Sequence, residues 1–483
     1  MGTPRKLTFG HVLHYLFVLF TRNLVKLFLP RVDSILPDLS GKTFLITGPT
    51  SGIGKHTAKH LAFAGADVVL ACRDVQKGQQ LALDLSLELG RVRRSQSGRG
   101  RGTIRVEELD LASLASVRAL AARWEASRIP LDGLINNAGI SDFGGGPQET
   151  ADGFEQHYQV NFLAPFLLTV AMAPALERGR VKRALGSVGS VNTGGRVAVP
   201  AAGRAALRHR RGKGGKKGRA AALAAAESLG SPATPAPRTP PLGPPSDLSD
   251  LSSALSKLSQ ESAGGDGASS TSSSSRASSP TDGPVDGPAR RAAPSLVVSV
   301  SSLYYAVMAL RRDDLSFAEP GAYKPWGVYA HSKLCQVLFS HELTRRQEGK
   351  KEGTLRLAPR ALRSEVVFPG FVRTNIVQGA SWLRSACFHY IMYPILLAPE
   401  QGCRSTLVAV AEWARAADGA GEAGEGQAAF PRPYAYDWDG SKLAIKYSGC
   451  DDDDAAWLWD RAWKDTKVDE LPWSKAIRLI VGA

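Results

Sequence analysis

From residue 43 the chain alternates short apolar runs with longer stretches whose apolar residues return at helical spacing. TFLIT (43–47) and DVVLAC (67–72) are apolar almost throughout, as strands covered on both faces are. Helical patterns follow each of them, over 55–64 and 75–89. IRVEELDL (104–111) reads as a third strand and 113–128 as a helix, and RVRRSQSGRGRG (91–102) is a polar loop. LDGLINNAG (131–139) is a strand that ends in a glycine turn, and 153–176 is a long helical pattern. After a break, SLVVSVSS (295–302) resumes as a strand, with a helix over 328–346, the strand SEVVFPG (364–370) and a weak last strand, PYAYD (433–437). Strands that alternate with helices in this way predict an α/β fold built on a doubly wound parallel sheet.

The break divides the chain into residues 1–37, 38–176, 177–292 and 293–483. Residues 177–292 consist largely of Gly, Ala, Ser, Pro and Arg, and bury too little apolar surface to offset the entropy of ordering them. A stretch of that length is also far longer than a structured connection, so the expectation is a long disordered insertion between two halves of one core. The insertion changes the meaning of the charge. Between Arg178 and Arg291 lie 18 Lys and Arg against 7 Asp and Glu, +11 of the chain's net +15. The basic run Arg208, Arg210, Arg211, Lys213, Lys216, Lys217 and Arg219 therefore reads as a solvated tract, and no specific nucleic-acid partner is expected. Five cysteines with no CxxC spacing fit reduced thiols and predict neither a disulfide frame nor a metal site.

Ahead of the core, residues 11–30 read HVLHYLFVLFTRNLVKLFLP. Arg22 and Lys26 share one helical face, while Leu13, Leu16, Phe17, Phe20, Leu24, Leu27 and Phe28 cover much of the rest. An N-terminal apolar helix lying in a membrane interface is favoured. A signal-anchor span with both cations snorkelling, or a helix packed on the core, stays open. The expected location is intracellular and membrane-associated, at the endoplasmic reticulum or a similar membrane, with the cytosol as the alternative.

The first strand runs into Thr47-Gly48-Pro49-Thr50-Ser51-Gly52-Ile53-Gly54. A glycine turn between strand and helix lets the backbone approach a pyrophosphate, which then meets the free N–H groups and dipole of the helix N-terminus. The cofactor-binding candidates there are Gly48, Ser51, Gly52, Ile53 and Gly54. At the end of the second strand, where an acidic residue would take the ribose 2′-hydroxyl of NAD, the sequence has Arg73 followed by Asp74. Arg73 suits a 2′-phosphate, with Lys55 able to assist, so NADP(H) is the expected cofactor.

Tyr329 and Lys333 are four apart on a helix and so share a face. A cation beside a phenol favours the phenolate and lowers its pKa toward the range of a general acid/base. Ser302 ends a strand, where its hydroxyl can hold a substrate carbonyl, and Asn161 lies in the long helix, where it can anchor a water leading to Lys333. Asn137, Ala138 and Gly139 close the fourth strand, and Pro369, Gly370, Val372 and Thr374 follow another, all on the carboxyl edge where open α/β sheets bind ligands. His331, between Tyr329 and Lys333, reads as a neutral, outward-facing residue rather than a catalyst.

Taken together, TGxxxGIG, NNAG, the helical Asn161, Ser302, YxxxK and PGxVxT resemble, in kind and order, the short-chain dehydrogenase/reductase family. ACRD, ELDLASLASVR, VVSVSS, VYAHSKL, PEQG and WLWDRAW resemble its retinol-dehydrogenase-like branch, and the likeness covers about residues 38–463 apart from the insertion. The resemblance implies a Rossmann fold and hydride transfer between NADP(H) and a small lipophilic substrate of the retinoid, sterol or fatty aldehyde class, and it is compatible with a homodimer. It implies that Tyr329 moves the proton, that Lys333 holds the nicotinamide ribose and tunes Tyr329, that Ser302 orients the carbonyl and that Asn161 completes a proton relay. Asp110 and Leu111 would sit near the adenine. The chain departs from the pattern in its insertion between Asn161 and Ser302, in Pro49, and in Tyr304 and Tyr305, where the branch has small residues and His. GSVGSV (186–191) offers Ser187 and Ser190 as rivals to Ser302, but RVKRAL before it makes a poor buried strand. Cys335, just after the YxxxK lysine, keeps a light-dependent protochlorophyllide reductase-like enzyme in view, and a nucleotide-binding scaffold without turnover is the non-enzymatic alternative.

Overall fold

The computed structural model describes residues 32–93, 102–141, 146–189, 293–348, 361–373, 396–419, 435–437, 439–443 and 452–483. The apolar runs form β1 (Thr43–Thr47), β2 (Asp67–Cys72), β3 (Ile104–Glu108), β4 (Gly133–Asn136), β5 (Ser295–Val300), β6 (Leu362–Val367) and β7 (Ala435–Tyr436). A short β8 (Lys442–Leu443), not expected from the sequence, pairs antiparallel with β7. The sheet order is β3-β2-β1-β4-β5-β6-β7-β8, with every pair from β3 to β7 parallel. The chain winds outward from β1 to β3, then returns to the far side of β1 at β4. That reversal opens a crevice at the carboxyl ends of β1 and β4.

Alternate residues of the central strands face opposite layers. Leu45, Leu134 and Val297 share one core with α3 (Leu114–Ser127), α5 (Ala164–Ala171), α7 (Pro325–Glu348) and α10 (Asp452–Asp465). Phe44, Ile46, Ile135, Leu296 and Val298 share the other with α1 (Gly52–Phe63), α2 (Val75–Arg93) and α9 (Arg404–Gly419). Both faces of the sheet are thus covered, which is why these strands show no alternation in sequence. The long helical pattern over 153–176 is broken into α4 (Gln156–Tyr158), a π-turn (Gln159–Leu163) and α5, and it bends again into α6 (Ala173–Gly189). No single helix among the described residues is long and apolar enough to cross a membrane. The pair Gln156–Ala171 and Ala173–Leu185, bent by 50°, passes that test jointly, but α5 is buried throughout in the core.

One boundary moves. The sequence suggested that the first part of the core ends at Leu176, but α6 continues to Gly189. Several of its charges have partners within the fold. Arg180 pairs with Glu177 at 2.5 Å. Arg183 pairs with the buried Asp132 and donates to Ser295 Oγ (2.9 Å) and the Ala293 carbonyl (3.1 Å). Residues 177–183 are therefore tied to the core, and Ser187 lies on a helix rather than at a strand end. The N-terminal helix expected over 11–30, the rest of the expected insertion (190–292) and Ser190 lie outside the described residues. By its contacts the chain divides into two units, 1–195 with 288–483, and 196–287; the fold above is that of the first.

Asp132 is 1% exposed and also accepts from the Thr43 N–H at 2.8 Å. Arg183→Ala would leave that carboxylate buried without its cation. The expected loss is about 3 kcal/mol of folding stability, read from the urea midpoint. A loss below about 1 kcal/mol would mean that the pair is not what holds α6 to the sheet.

Candidate active site

The glycine turn leaves β1 at Thr47 and enters α1 at Gly52. Gly48 takes a positive φ of 63°, and a Cβ there would come within 2.9 Å of Ala138 Cβ. A Cβ on Gly54 would fall 2.3 Å from the Gly48 carbonyl oxygen and 2.4 Å from Asn137 Nδ2. The turn can lie this close to the end of β4 only because those side chains are absent. Asn137 holds the two together: Nδ2 donates to the carbonyls of Thr47 (2.9 Å) and Gly48 (3.2 Å). In return Thr47 Oγ1 accepts from the N–H groups of Asn137 and Ala138, both at 3.0 Å. Asn137 is thus a clamp on the cradle. Asn136 ties β4 to α5 through Thr169 Oγ1 at 2.9 Å. Ser51, at the N-cap of α1, forms no side-chain cap bond, and the first turn carries no acidic residue. This is a helix terminus suited to a phosphate.

At the end of β2, Arg73 is exposed and forms no hydrogen bond or ion pair among the described residues. Asp74 turns the other way. Its Oδ1 accepts from the Lys77 N–H (3.0 Å) and its Oδ2 pairs with Lys77 Nζ (2.9 Å), which holds the carboxyl below its usual range. It caps the first turn of α2 and leaves the space beside Arg73 to an anion. Asp110 spends its carboxylate on the Ala112 N–H (3.0 Å), and Leu111 is buried, both beyond the end of β3. Pro369, Gly370 and Val372 follow β6. Val372 pairs with Leu397 and packs with Ile53 against Gly402, where a Cβ would meet Val372 at 2.6 Å and Ile53 at 3.1 Å. Gly402, in the short helix α8 (Pro399–Gly402), thereby lets that helix close on the N-terminus of α1. Thr374 lies outside the described residues.

Helix α7 carries Tyr329, Lys333 and Gln336 at spacings of four and three, on one face. Tyr329 is 8% exposed, and its phenol hydrogen-bonds Ser302, which caps the 3-10 turn Leu303–Val307 after β5. Burial pushes the Tyr329 phenol up to about 12, against the lowering effect of the Ser302 bond. The depression expected from Lys333 is therefore not realised. Its Nζ lies 5.7 Å from the Tyr329 ring centroid, and the lysine itself is pushed down to about 7 by burial. A low-dielectric site penalises both charged forms, which opposes the lowering that a neighbouring cation alone would give the phenol. Lys333 Nζ donates to the Val300 carbonyl (3.0 Å) and to Gln336 Oε1 (3.2 Å).

Asn161 sits in the π-turn. Its Oδ1 accepts from the Ile140 N–H (2.8 Å), and its Nδ2 donates to the Ile140 carbonyl (3.0 Å) and to Ser332 Oγ (2.9 Å). Its own carbonyl accepts from Gln336 Nε2 at 2.6 Å. A side chain of α7 therefore joins Asn161 to Lys333. Gly139 lies between them, where a Cβ would come within 3.2 Å of Asn161 Oδ1 and 3.3 Å of Lys333 Nζ.

His331 corrects a second expectation. It is neutral but points inward: it is 1% exposed, its Nε2 accepts from the Arg311 N–H (3.2 Å) and its ring packs edge-on against Phe317. Burial takes it down to about 4. It anchors the loop before α7. Cys335 is fully buried, with Sγ 3.9 Å from His331 Nδ1. Tyr304 stands edge-on to Tyr329 (6.2 Å between centroids) and to Phe371 (6.1 Å), while Tyr305 stacks on Phe368 (5.3 Å). The result is a glycine cradle with a cation at one end and a hydroxyl–phenol–amine cluster, flanked by Tyr304 and Phe371, at the other.

A family model described as "short chain dehydrogenase" matches residues 42–209. The chain is 44% identical over 149 residues to "Dehydrogenase/reductase SDR family member FEY" of Arabidopsis thaliana, which covers 31% of this chain and 38% of that protein. It is 43% identical over 143 residues to the polyprenol dehydrogenase of Mus musculus (29% and 39% covered). It is 42% identical over 146 residues to retinol dehydrogenase 11 of Homo sapiens (30% and 42% covered). The chain thus spans about two fifths of the length of these relatives.

Proposed function

Since the chain belongs to the short-chain dehydrogenase/reductase family, in its retinol-dehydrogenase-like branch, we propose that this oxidoreductase uses NADP(H) to interconvert a lipophilic alcohol and its aldehyde or ketone. One observation carries the reading. The fold brings Ser302, Tyr329 and Lys333 together beside Gly139, on the same edge as the glycine cradle of Gly48 and Gly54. The nicotinamide, when bound, supplies or takes up the hydride. The rest falls to side chains. Ser302 holds the substrate oxygen, and Tyr329 gives or takes the proton at that oxygen. Lys333 holds the nicotinamide ribose and, when protonated, offsets the charge of the phenolate.

Arg73 and the diverted Asp74 support the choice of NADP(H) over NAD(H). Tyr304 and Phe371, beside Tyr329, support an apolar substrate, as do relatives named as retinol and polyprenol dehydrogenases. The apolar stretch over 11–30 supports work at a membrane surface, where such substrates reside.

The test is nicotinamide oxidation, followed by absorbance, with the full chain against retinal, medium-chain aldehydes and steroid ketones, using NADPH and NADH. NADPH-dependent turnover of at least one of these is expected. If NADPH does not bind, the reading fails. Arg73→Ala should raise the Kd for NADPH about 10- to 100-fold, the worth of a charged hydrogen bond, and leave NADH within a few-fold. Equal losses for both cofactors would remove Arg73 from the 2′-phosphate.

A further inference from the structure

In a regular α-helix the carbonyl of Asn161 would accept from the N–H four residues on, but that residue is Pro165, which has none. The carbonyl is engaged from another helix, by Gln336 Nε2 at 2.6 Å. The other end of the same amide, Oε1, accepts from Lys333 Nζ at 3.2 Å. The two partners dictate the orientation of the amide, because a carbonyl can only accept and an ammonium can only donate. Gln336 is 2% exposed, so the bridge is shielded from competition by water.

A lysine ammonium has three donors. The Val300 carbonyl and Gln336 Oε1 take two of them, and Nζ lies against Gly139 at the edge of the cleft. One donor is left for chemistry, and its direction is set by where the other two are held. Around Lys333 stand Tyr329 and Gln336 on its own helix, the Val300 carbonyl on β5, and Gly139 and Asn161 across the cleft. No charged group is among these, and burial is the one cause resolved for the shift of this lysine.

We propose that Gln336 is a positioning residue, whose amide splints Lys333 to the main chain of Asn161 and so aims the remaining Lys333 donor at the reaction centre. The proposal rests on the Tyr329–Lys333 reading above and assigns a residue that neither the motifs nor the comparisons single out.

The test reads Lys333 directly in the full chain, without turnover. The pH dependence of its acylation by a small reagent is followed by mass spectrometry of the peptide that carries it. Gln336→Ala removes an acceptor from the charged form, so the midpoint should fall by about one pH unit. Gln336→Glu sets a carboxylate against the amine, so the midpoint should rise by about one unit or more. Gln336→Asn, too short to reach both partners, should follow the alanine variant. General loosening of the fold would move all three variants the same way, whereas loss or charging of one partner moves them apart. In the same proteins kcat should fall about tenfold in Gln336→Ala with KM nearly unchanged, as for a group that acts through the reacting centre. Coincident midpoints in wild type and all variants would overturn the proposal. Shifted midpoints in a protein without turnover would overturn the functional reading and leave the Gln336 splint standing. Tyr329-dependent turnover with unmoved midpoints would do the reverse.

Discussion

Tyr329→Phe is expected to lower kcat about a thousandfold while leaving the Kd for NADPH within a few-fold. The phenol meets Ser302 in the cluster, and burial holds it in the protonated form, at about 12. That suits an acid which must keep its proton until the substrate oxygen develops charge. When the proton leaves, the phenolate is formed in a site that disfavours it. The nearby Lys333 then supplies the compensation, because the same burial that pushes the lysine down to about 7 strengthens its attraction to a new anion. Phenylalanine keeps the ring, its packing against Tyr304 and the helix, and removes only the hydroxyl. A structural explanation for lost activity is therefore excluded if the melting temperature stays put. Steady-state kinetics with NADPH and fluorescence titration of the cofactor give the two readouts. A kcat within tenfold of wild type would show that another group carries the proton.

Much of this site was legible in the chain because its parts depend on local rules. An apolar run followed by a glycine turn and a helix encodes the cradle, and a Tyr and a Lys four apart encode a shared face. What escaped depends on partners distant in sequence. Gln336 reads as any polar residue of a helix. Its role follows from the carbonyl of Asn161, 175 positions earlier, which accepts from its amide. Arg180 and Arg183 look solvated until Glu177 and Asp132 are placed beside them, and so the sequence placed the end of the core too early. His331 looked exposed because it lies between two catalytic candidates, yet it turns inward to cap the backbone at Arg311. The pKa of Tyr329 reversed its expected direction for a related reason. Adjacency on a helix is visible in sequence, whereas the desolvation that outweighs it depends on everything packed around the helix.

Gly54→Ala is expected to raise the Kd for NADPH at least about a hundredfold and to cost about 2 kcal/mol of stability. The added methyl has no soft neighbour to displace. One contact, at 2.3 Å, is the carbonyl oxygen of Gly48 in the turn itself, and the other, at 2.4 Å, is the Asn137 amide that clamps the turn to β4. Relief requires the turn to move away from α1 or the clamp to open, and either movement spoils the cradle of N–H groups that would meet a pyrophosphate. Gly90→Ala is the matched control. It lies on α2 with nothing within 4 Å of the new Cβ, and should leave cofactor affinity unchanged while adding about 0.5 kcal/mol of stability. Calorimetric titration and urea unfolding of both variants separate the two effects. If Gly54→Ala binds NADPH as wild type does, the cradle between Gly48, Gly54 and Asn137 is a packing contact alone, and the phosphates must be held elsewhere. A hundredfold loss with a native-like unfolding transition would instead place them at the N-terminus of α1, with Arg73 positioned to read the 2′-phosphate.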